Sequence, residues 1–291
     1  MNPLDLVGLS PLMKLTSGES EVTIGLVDGP VAVDHPELNA ESIRLSGDTP
    51  CLPKRSTACR HGTFVAGILV ARRGGMAPAI CPGCTVLSRP VFTETAPDEE
   101  HSLSVSVQRL ATAVRECVDA GARVLNVSAG TAQPSTRQER ELHAALDHAA
   151  AHGALVVVAA GNQGTLGSSA LTRHPWVIPV VGYDSEGRPS AHSNLGSSMG
   201  RLGLGAPGEN VVSLSDHGGV RTQHGTSVAT AFVTGAIGLL WSRFPQADVA
   251  EVKNALTGCH GRRRTSVVPP LLDAWKAHRM LSATQSGRAA E

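Results

Sequence analysis

The chain reads as one α/β domain, a mostly parallel, twisted sheet with helices on both faces. Short apolar, β-branched runs alternate with long helical stripes, and the runs stay apolar throughout instead of alternating with polar residues. A strand without a polar side must be covered on both faces, as happens in parallel sheets joined by crossover helices. No linker, repeat or charge block divides the 291 residues, and single α/β domains approaching this length are routine.

The first apolar run, 22–27, stops at the turn formers Asp28-Gly29-Pro30 and predicts a buried strand. His61 opens a Gly/Ala/Val/Leu stretch that reads as a helix to Val70, and 85–92 is the next strand. Residues 102–120 carry Leu103, Val107, Leu110, Ala111, Val114 and Val118 at helical spacing and close on Gly121. A strand follows over 123–128, then a helix over 136–152 with Leu142, Ala145, Leu146 and Ala149 on one face. The run 154–160 is almost purely apolar and meets Gly161-Asn162 at once. Strands are expected over 176–182 and 209–214, and a long apolar helix over 225–243, stopped by Pro245. Helices over 248–256 and 271–281 complete the domain. The expected organisation is an N-terminal extension over 1–20, the domain over 21–281 and a disordered tail over 282–291.

Composition excludes several function classes. The chain is 41% hydrophobic, 17% charged and formally neutral, with aromatics at 3%, so no nucleic-acid partner is expected. Arg262-Arg263-Arg264, the single basic run, reads as a solvated turn. No apolar run reaches the roughly 18 residues that span a bilayer, so no membrane partner is expected. The first twenty residues lack a secretory signal pattern, and the first strand begins too early for a domain-sized propeptide. A cytoplasmic protein made without a pro-segment is the expectation.

The six cysteines leave alternatives open. Cys51 with Cys59, and Cys81 with Cys84, are compatible with two loop disulfides, free thiols or a four-thiolate zinc site. The eight-residue 51/59 gap departs from zinc-knuckle spacing, so metal ranks last and no cofactor is expected; cytosolic redox would favour thiols. Cys117, mid-helix, reads as a small buried apolar residue, and Cys259 stands alone. Asp34 lacks the Asp-x-Asp-x-Asp company of a calcium loop, and neighbouring His35 reads as solvated.

In a parallel sheet, sites gather at the carboxyl ends of strands. Asp28 and Asn162 follow strands there and Ser128 ends one, while His61 and Ser227 fall at expected helix starts, where free N–H groups favour developing negative charge. Each residue alone reads as an ordinary turn or cap. Together they place an acid, an imidazole, a hydroxyl and a carboxamide on one edge. A hydroxyl becomes a useful nucleophile when an adjacent base, held in one tautomer by an acid, takes its proton.

The segments His61-Gly62-Thr63-Phe64-Val65-Ala66-Gly67 and Gly225-Thr226-Ser227-Val228-Ala229, with Asp28 upstream, resemble the subtilisin-like serine proteases (subtilases) over about residues 20–281. The order Asp, His, Ser is that of subtilisin. The resemblance implies the three-layer subtilisin-like fold and a peptide substrate. It implies Ser227 as nucleophile, His61 as general base, Asp28 as its orienting acid and Asn162 as oxyanion donor. Ser128, Ala129 and Gly130, with Ala159, Ala160 and Gly161, would pair with the substrate backbone and line the side-chain pocket. His224, just before the Ser motif, would border the cleft without an assigned role.

Two departures from the family pattern stand out. Asp-Ser/Thr-Gly is Asp28-Gly29-Pro30 here, and the proline usual in the Ser helix is Ala231. The opening DLVGLSPLMKLTSGESEVTIGLVDGPVAVDHPEL resembles the proteases that mature cyanobactins and related modified peptides. Some of those relatives are macrocyclases with a helical insertion between the Asp and His motifs. The 33-residue interval here has no room for that lid, so cleavage of a precursor peptide is expected over ring closure. A general degradative protease and a catalytically silent peptide-binding scaffold are the alternatives.

Overall fold

Seven strands assemble into one sheet in which every neighbouring pair is parallel. The computed structural model describes residues 2–47, 49, 51, 56–92, 104–131, 136–258 and 264–288. Its strands are β1 (Thr23–Asp28), β2 (Ile43–Leu45), β3 (Thr85–Pro90), β4 (Ser104–Val105), β5 (Val124–Val127), β6 (Gly130–Thr131), β7 (Leu155–Ala159), β8 (Val177–Tyr183), β9 (Leu204–Pro207), β10 (Val211–Leu214) and β11 (Val220–Gln223). Its α-helices are α1 (Pro3–Leu6), α2 (Leu9–Met13), α3 (Thr57–Val70), α4 (Val107–Asp119), α5 (Thr136–Ala151), α6 (Ala170–Arg173), α7 (Ser197–Leu202), α8 (Thr226–Arg243), α9 (Val249–Thr257) and α10 (Ala274–Arg288). The sheet order is β2-β3-β1-β5-β7-β8-β9: from β1 the chain passes to the edge strand β2, returns to β3 between them, and from β5 winds outward through β7 and β8 to β9.

Period-two alternation sends successive strand residues into two cores. Ile24, Leu26, Val124, Leu155 and Val157 join α3, α8, α9 and α10 on one face. Val27, Leu125, Val127, Val156 and Val158 join α4 and α5 on the other. This is the three-layer arrangement expected. Helix α8 is buried all round from Thr226 to Trp241 and carries no amphipathic stripe, as a central helix requires. Cys117 of α4 is buried against the bare Cα of Gly25, where a Cβ would sit 3.0 Å from its own.

Several expectations need correction. The N-terminal segment, expected as an extension or helix, holds the helices α1 and α2, and it is packed into the domain: Val7, Leu9 and Leu12 are fully buried in the α8-side core. Residues 282–288 are not a disordered tail but the last turns of α10; 289–291 lie outside the described residues. Helix α4 starts at Val107, capped by Ser106, after the short strand β4; 102 and 103 lie outside the described residues. The run expected over 209–214 is β10, which leaves the sheet and pairs antiparallel with β11. His35 is buried, not solvated, and contacts the Gly219 carbonyl at 3.2 Å.

Cys51 and Cys59 form a disulfide with Cα atoms 5.1 Å apart, while Cys81, Cys84 and Cys117 are free and buried. Among the described residues no group of three or more His, Cys, Asp and Glu side chains is gathered as a metal ion requires. Cys259 and Arg262-Arg263 lie outside them; Arg264 donates to the Gly203 and Thr257 carbonyls. No helix among the described residues is long and apolar enough to cross a membrane.

Candidate active site

Asp28 ends β1 on the same edge where β5 delivers Ser128 and β7 delivers Ala160. All three belong to neighbouring parallel strands, so their carboxyl ends coincide. His61 was expected at a helix start; it lies instead in the second turn of α3, because Ser56 caps the helix four residues earlier and bonds the Cys59 N–H at 2.9 Å. Ser227 does fall in the first turn of α8, where its backbone N–H has no intrahelical acceptor.

The motif glycines bring these elements into contact. A Cβ on Gly62 would meet the Gly29 carbonyl oxygen at 2.3 Å, and one on Gly29 would meet the Ala58 carbonyl oxygen at 1.9 Å. The turn after Asp28 thus lies backbone-to-backbone on the first turns of α3. Thr63 accepts from the Ala32 N–H at 2.9 Å and anchors the far side of that turn. The departure Asp-Gly-Pro therefore has a steric cause: position 29 has no space for the serine or threonine usual in the family.

A continuous hydrogen-bonded chain results. Asp28 Oδ1 lies 2.6 Å from His61 Nδ1, and His61 Nε2 lies 2.8 Å from Ser227 Oγ. Asp28 is fully buried and also accepts from the Gly29 N–H at 2.6 Å. Its Oδ2 is buried without a hydrogen-bond partner among the described residues; Gly29 has no hydroxyl to offer and Pro30 no N–H. Burial alone would disfavour the imidazolium, but the Asp28 charge and hydrogen bond outweigh it, and Arg221 opposes them; His61 is held above the ordinary histidine value. That is the electrostatic state of a base able to take a hydroxyl proton and keep it.

Asn162 is exposed one residue beyond Gly161, whose φ of +103° turns the chain off β7. Its carboxamide oxygen accepts from the Thr226 N–H at 2.8 Å and hydroxyl at 3.0 Å. With Oδ1 engaged, Nδ2 is the remaining donor, adjacent to Gly225 and the start of α8. Thr226 as an orienter was not singled out from sequence, although it sits inside the Ser motif.

The flanking segments behave unequally. Ser128 donates its N–H to Val27 at 3.2 Å, its hydroxyl accepts from Asn126, and Ala129 is buried. Gly130 is extended in β6 and pairs with Ser104 of β4. On the other side, the Ala160 N–H donates to Val180 at 3.0 Å and its carbonyl accepts from Asn194 at 3.2 Å. The Gly161 N–H donates to Thr226 at 3.1 Å and its carbonyl accepts from the Asn194 N–H at 2.9 Å. The 159–161 segment is therefore a wall with its backbone groups already engaged at Ala160 and Gly161, not the open pairing edge expected. His224 and His192, both exposed, have ring centroids 6.3 Å apart beside this region.

The subtilase family (peptidase S8) matches residues 19–262. The chain is a subtilase. It is 29% identical to mycosin-3 of Mycobacterium tuberculosis (strain ATCC 25618 / H37Rv) over 90% of its own length and 67% of mycosin-3. It is 28% identical to subtilisin amylosacchariticus of Bacillus subtilis subsp. amylosacchariticus, covering 81% of this chain but 60% of that protein, less than two thirds of its length. The structure of the prenylagaramide maturation protease PagA superimposes with a TM-score of 0.80 at 28% identity, over 94% of this subtilase and 98% of PagA.

Proposed function

We propose that this subtilase is a serine endopeptidase that cleaves a ribosomally made precursor peptide during maturation of a modified peptide. The observation that carries the chemistry is the unbroken chain Asp28–His61–Ser227 at 2.6 and 2.8 Å. Ser227 Oγ attacks the scissile carbonyl as His61 Nε2 takes its proton. Nδ2 of Asn162 and the Ser227 N–H receive the oxyanion. The intermediate collapses as His61 returns the proton to the leaving amine, giving an acyl-enzyme. Water then attacks with His61 again as base, and the second collapse frees the acid and restores Ser227. The steps use side chains of this chain, the Ser227 backbone N–H and water.

In this reading the substrate lies extended along Ser128, Ala129 and Gly130, and its side chain before the cut enters the space walled by Ala159, Ala160 and Gly161. Support for the ladder is that Gly130 is already extended and paired. Support for maturation is the likeness to PagA and the short Asp28-to-His61 interval, which among the described residues holds only a 3₁₀ turn (Ala40–Ser42) and β2 before α3. That interval favours hydrolysis over macrocyclisation. A cytoplasmic site of action stays part of the proposal, and the Cys51–Cys59 bond pulls against it, since cytosolic reductants keep thiols reduced.

The test is incubation of the purified protein with candidate precursor peptides, taken from any short reading frame found beside its gene, and, separately, with casein. A single cut in the precursor with little casein digestion is expected. Broad digestion of casein supports a degradative role instead, and a cyclic product would identify a macrocyclase. No cleavage of either overturns the proposal in favour of a silent scaffold.

A further inference from the structure

Arg60 directly precedes the base and Arg221 acts on it from β11, and a buried acid that the proposed chemistry does not use lies 3.8 Å from Arg60. The hairpin β10–β11 runs from the flank of α3 directly into the Ser227 helix. Ser213 of β10 donates to the Phe64 carbonyl at 2.8 Å, one turn past His61, and a Cβ on Gly67 would strike that hydroxyl at 2.4 Å. At the hairpin tip, Gly218 and Gly219 take φ of +92° and +69°, and His35 pins the Gly219 carbonyl from the loop after β1. The Asp216 side chain is fully buried under this tip. It lies 3.8 Å from Arg60 Nε, 3.0 Å from His217 Nδ1 and 3.4 Å from the Ser215 hydroxyl. Arg60 is the residue before His61. Arg221, on β11, faces Asp216 and Arg60 and keeps a buried Nε without a hydrogen-bond partner among the described residues.

We propose that Asp216 is a positioning residue for the His61–Ser227 pair: it neutralises Arg60 and Arg221 beside His61 and latches the Ser227-bearing hairpin to the His61-bearing helix. This rests on the endopeptidase reading above. The physical need is plain. Arg221 acts directly on His61 and disfavours its imidazolium, the form needed as the hydroxyl proton is taken. Among the described residues, the charged groups acting on His61 are Asp28 from β1 and Arg221 from β11. Those facing Arg221 are Arg60 and Asp216, with His217 sharing the acid. Removing the Asp216 charge leaves both guanidiniums uncompensated. Removing the Arg221 charge relieves His61.

The experiment is the second-order rate of a fluorophosphonate probe against pH, which needs the neutral base and no known substrate. Asp216→Asn should move the midpoint of the acid limb down on the order of half a pH unit, because the guanidiniums beside His61 then lose the acid that offsets them. Arg221→Gln should move it up by a similar amount. A merely structural role lowers the rate or the melting temperature and leaves the midpoint in place. Coincident midpoints in both variants, or shifts of the same sign, overturn the proposal. If the wild type itself does not react, the endopeptidase reading fails; the imidazole titration of His61 by NMR then reads the same two opposite shifts directly.

Discussion

Replacing Gly29 by serine, which restores the residue type usual in the family, should impair this protein. A Cβ at position 29 would lie 1.9 Å from the Ala58 carbonyl oxygen and 2.5 Å from its carbon, against a floor of 3.0 Å that real Cβ atoms respect. The atom met is backbone in the first turn of α3, so no rotamer change relieves it. The turn and the helix must part by about 1.1 Å, and His61 rides on that helix. The Asp28–His61 contact of 2.6 Å would then open to roughly 3.7 Å, beyond hydrogen-bond range. Overpacking of this kind costs about 1–3 kcal/mol, or roughly 2–4 °C in Tm for each kcal/mol in a domain near this size. Misplacement by an ångström costs about 10² in rate. Calorimetry and fluorophosphonate labelling kinetics on Gly29→Ala and Gly29→Ser measure the two parts. A Gly29→Ser protein with wild-type Tm and labelling rate would refute the steric account of Asp28-Gly29-Pro30, even though its hydroxyl could reach the orphaned Asp28 Oδ2.

Other outcomes follow from the same geometry. Asn162→Ala should lower kcat by about 10²–10³, as loss of one oxyanion donor does in subtilisin itself, with KM little changed in steady-state assays. Because His61 is held above the ordinary histidine value of 6.5, kcat/KM should fall on acidification with a midpoint above that value, and a pH–rate profile checks it. Cys51→Ser, or reduction of the wild type, should cost about 2 kcal/mol in chemical denaturation, as expected for opening a loop that spans eight positions. Thiol labelling under denaturing conditions should then count two more sulfurs after reduction of the wild type.

The legible parts of the fold were those governed by periodicity. Uniformly apolar strands such as β7 and β8 cannot be placed other than in a sheet covered twice, and both were found within a residue or two of their expected bounds. Short or context-dependent elements were not legible. β2 is three residues with an exposed Leu45, and its pairing with β3 supplies what its own pattern does not. α3 begins at Thr57 through the Ser56 cap, a signal present in the sequence but overshadowed by the apolar run after His61. The polar end of α10 looks like a solvated tail because its apolar contacts, Ala274, Ala277 and Leu281, all lie earlier in the helix. At the site, motif spacing picked out Asp28, His61 and Ser227, and the structure joins them in one hydrogen-bonded chain. Spacing could not reveal how Thr226 orients Asn162 or that the Ala160 and Gly161 backbone groups are already engaged, because those contacts join residues far apart in the sequence. The buried Asp216 was equally hidden, since its ion-pair partner Arg60 lies on α3, far away in the sequence.

The central claim is that Asp28, His61 and Ser227 make a working nucleophile. Tandem mass spectrometry after fluorophosphonate treatment tests it most directly. The account predicts one phosphonyl adduct, on Ser227, lost in Ser227→Ala and strongly slowed in His61→Ala; an unlabelled wild type, or an adduct that survives Ser227→Ala, would contradict it.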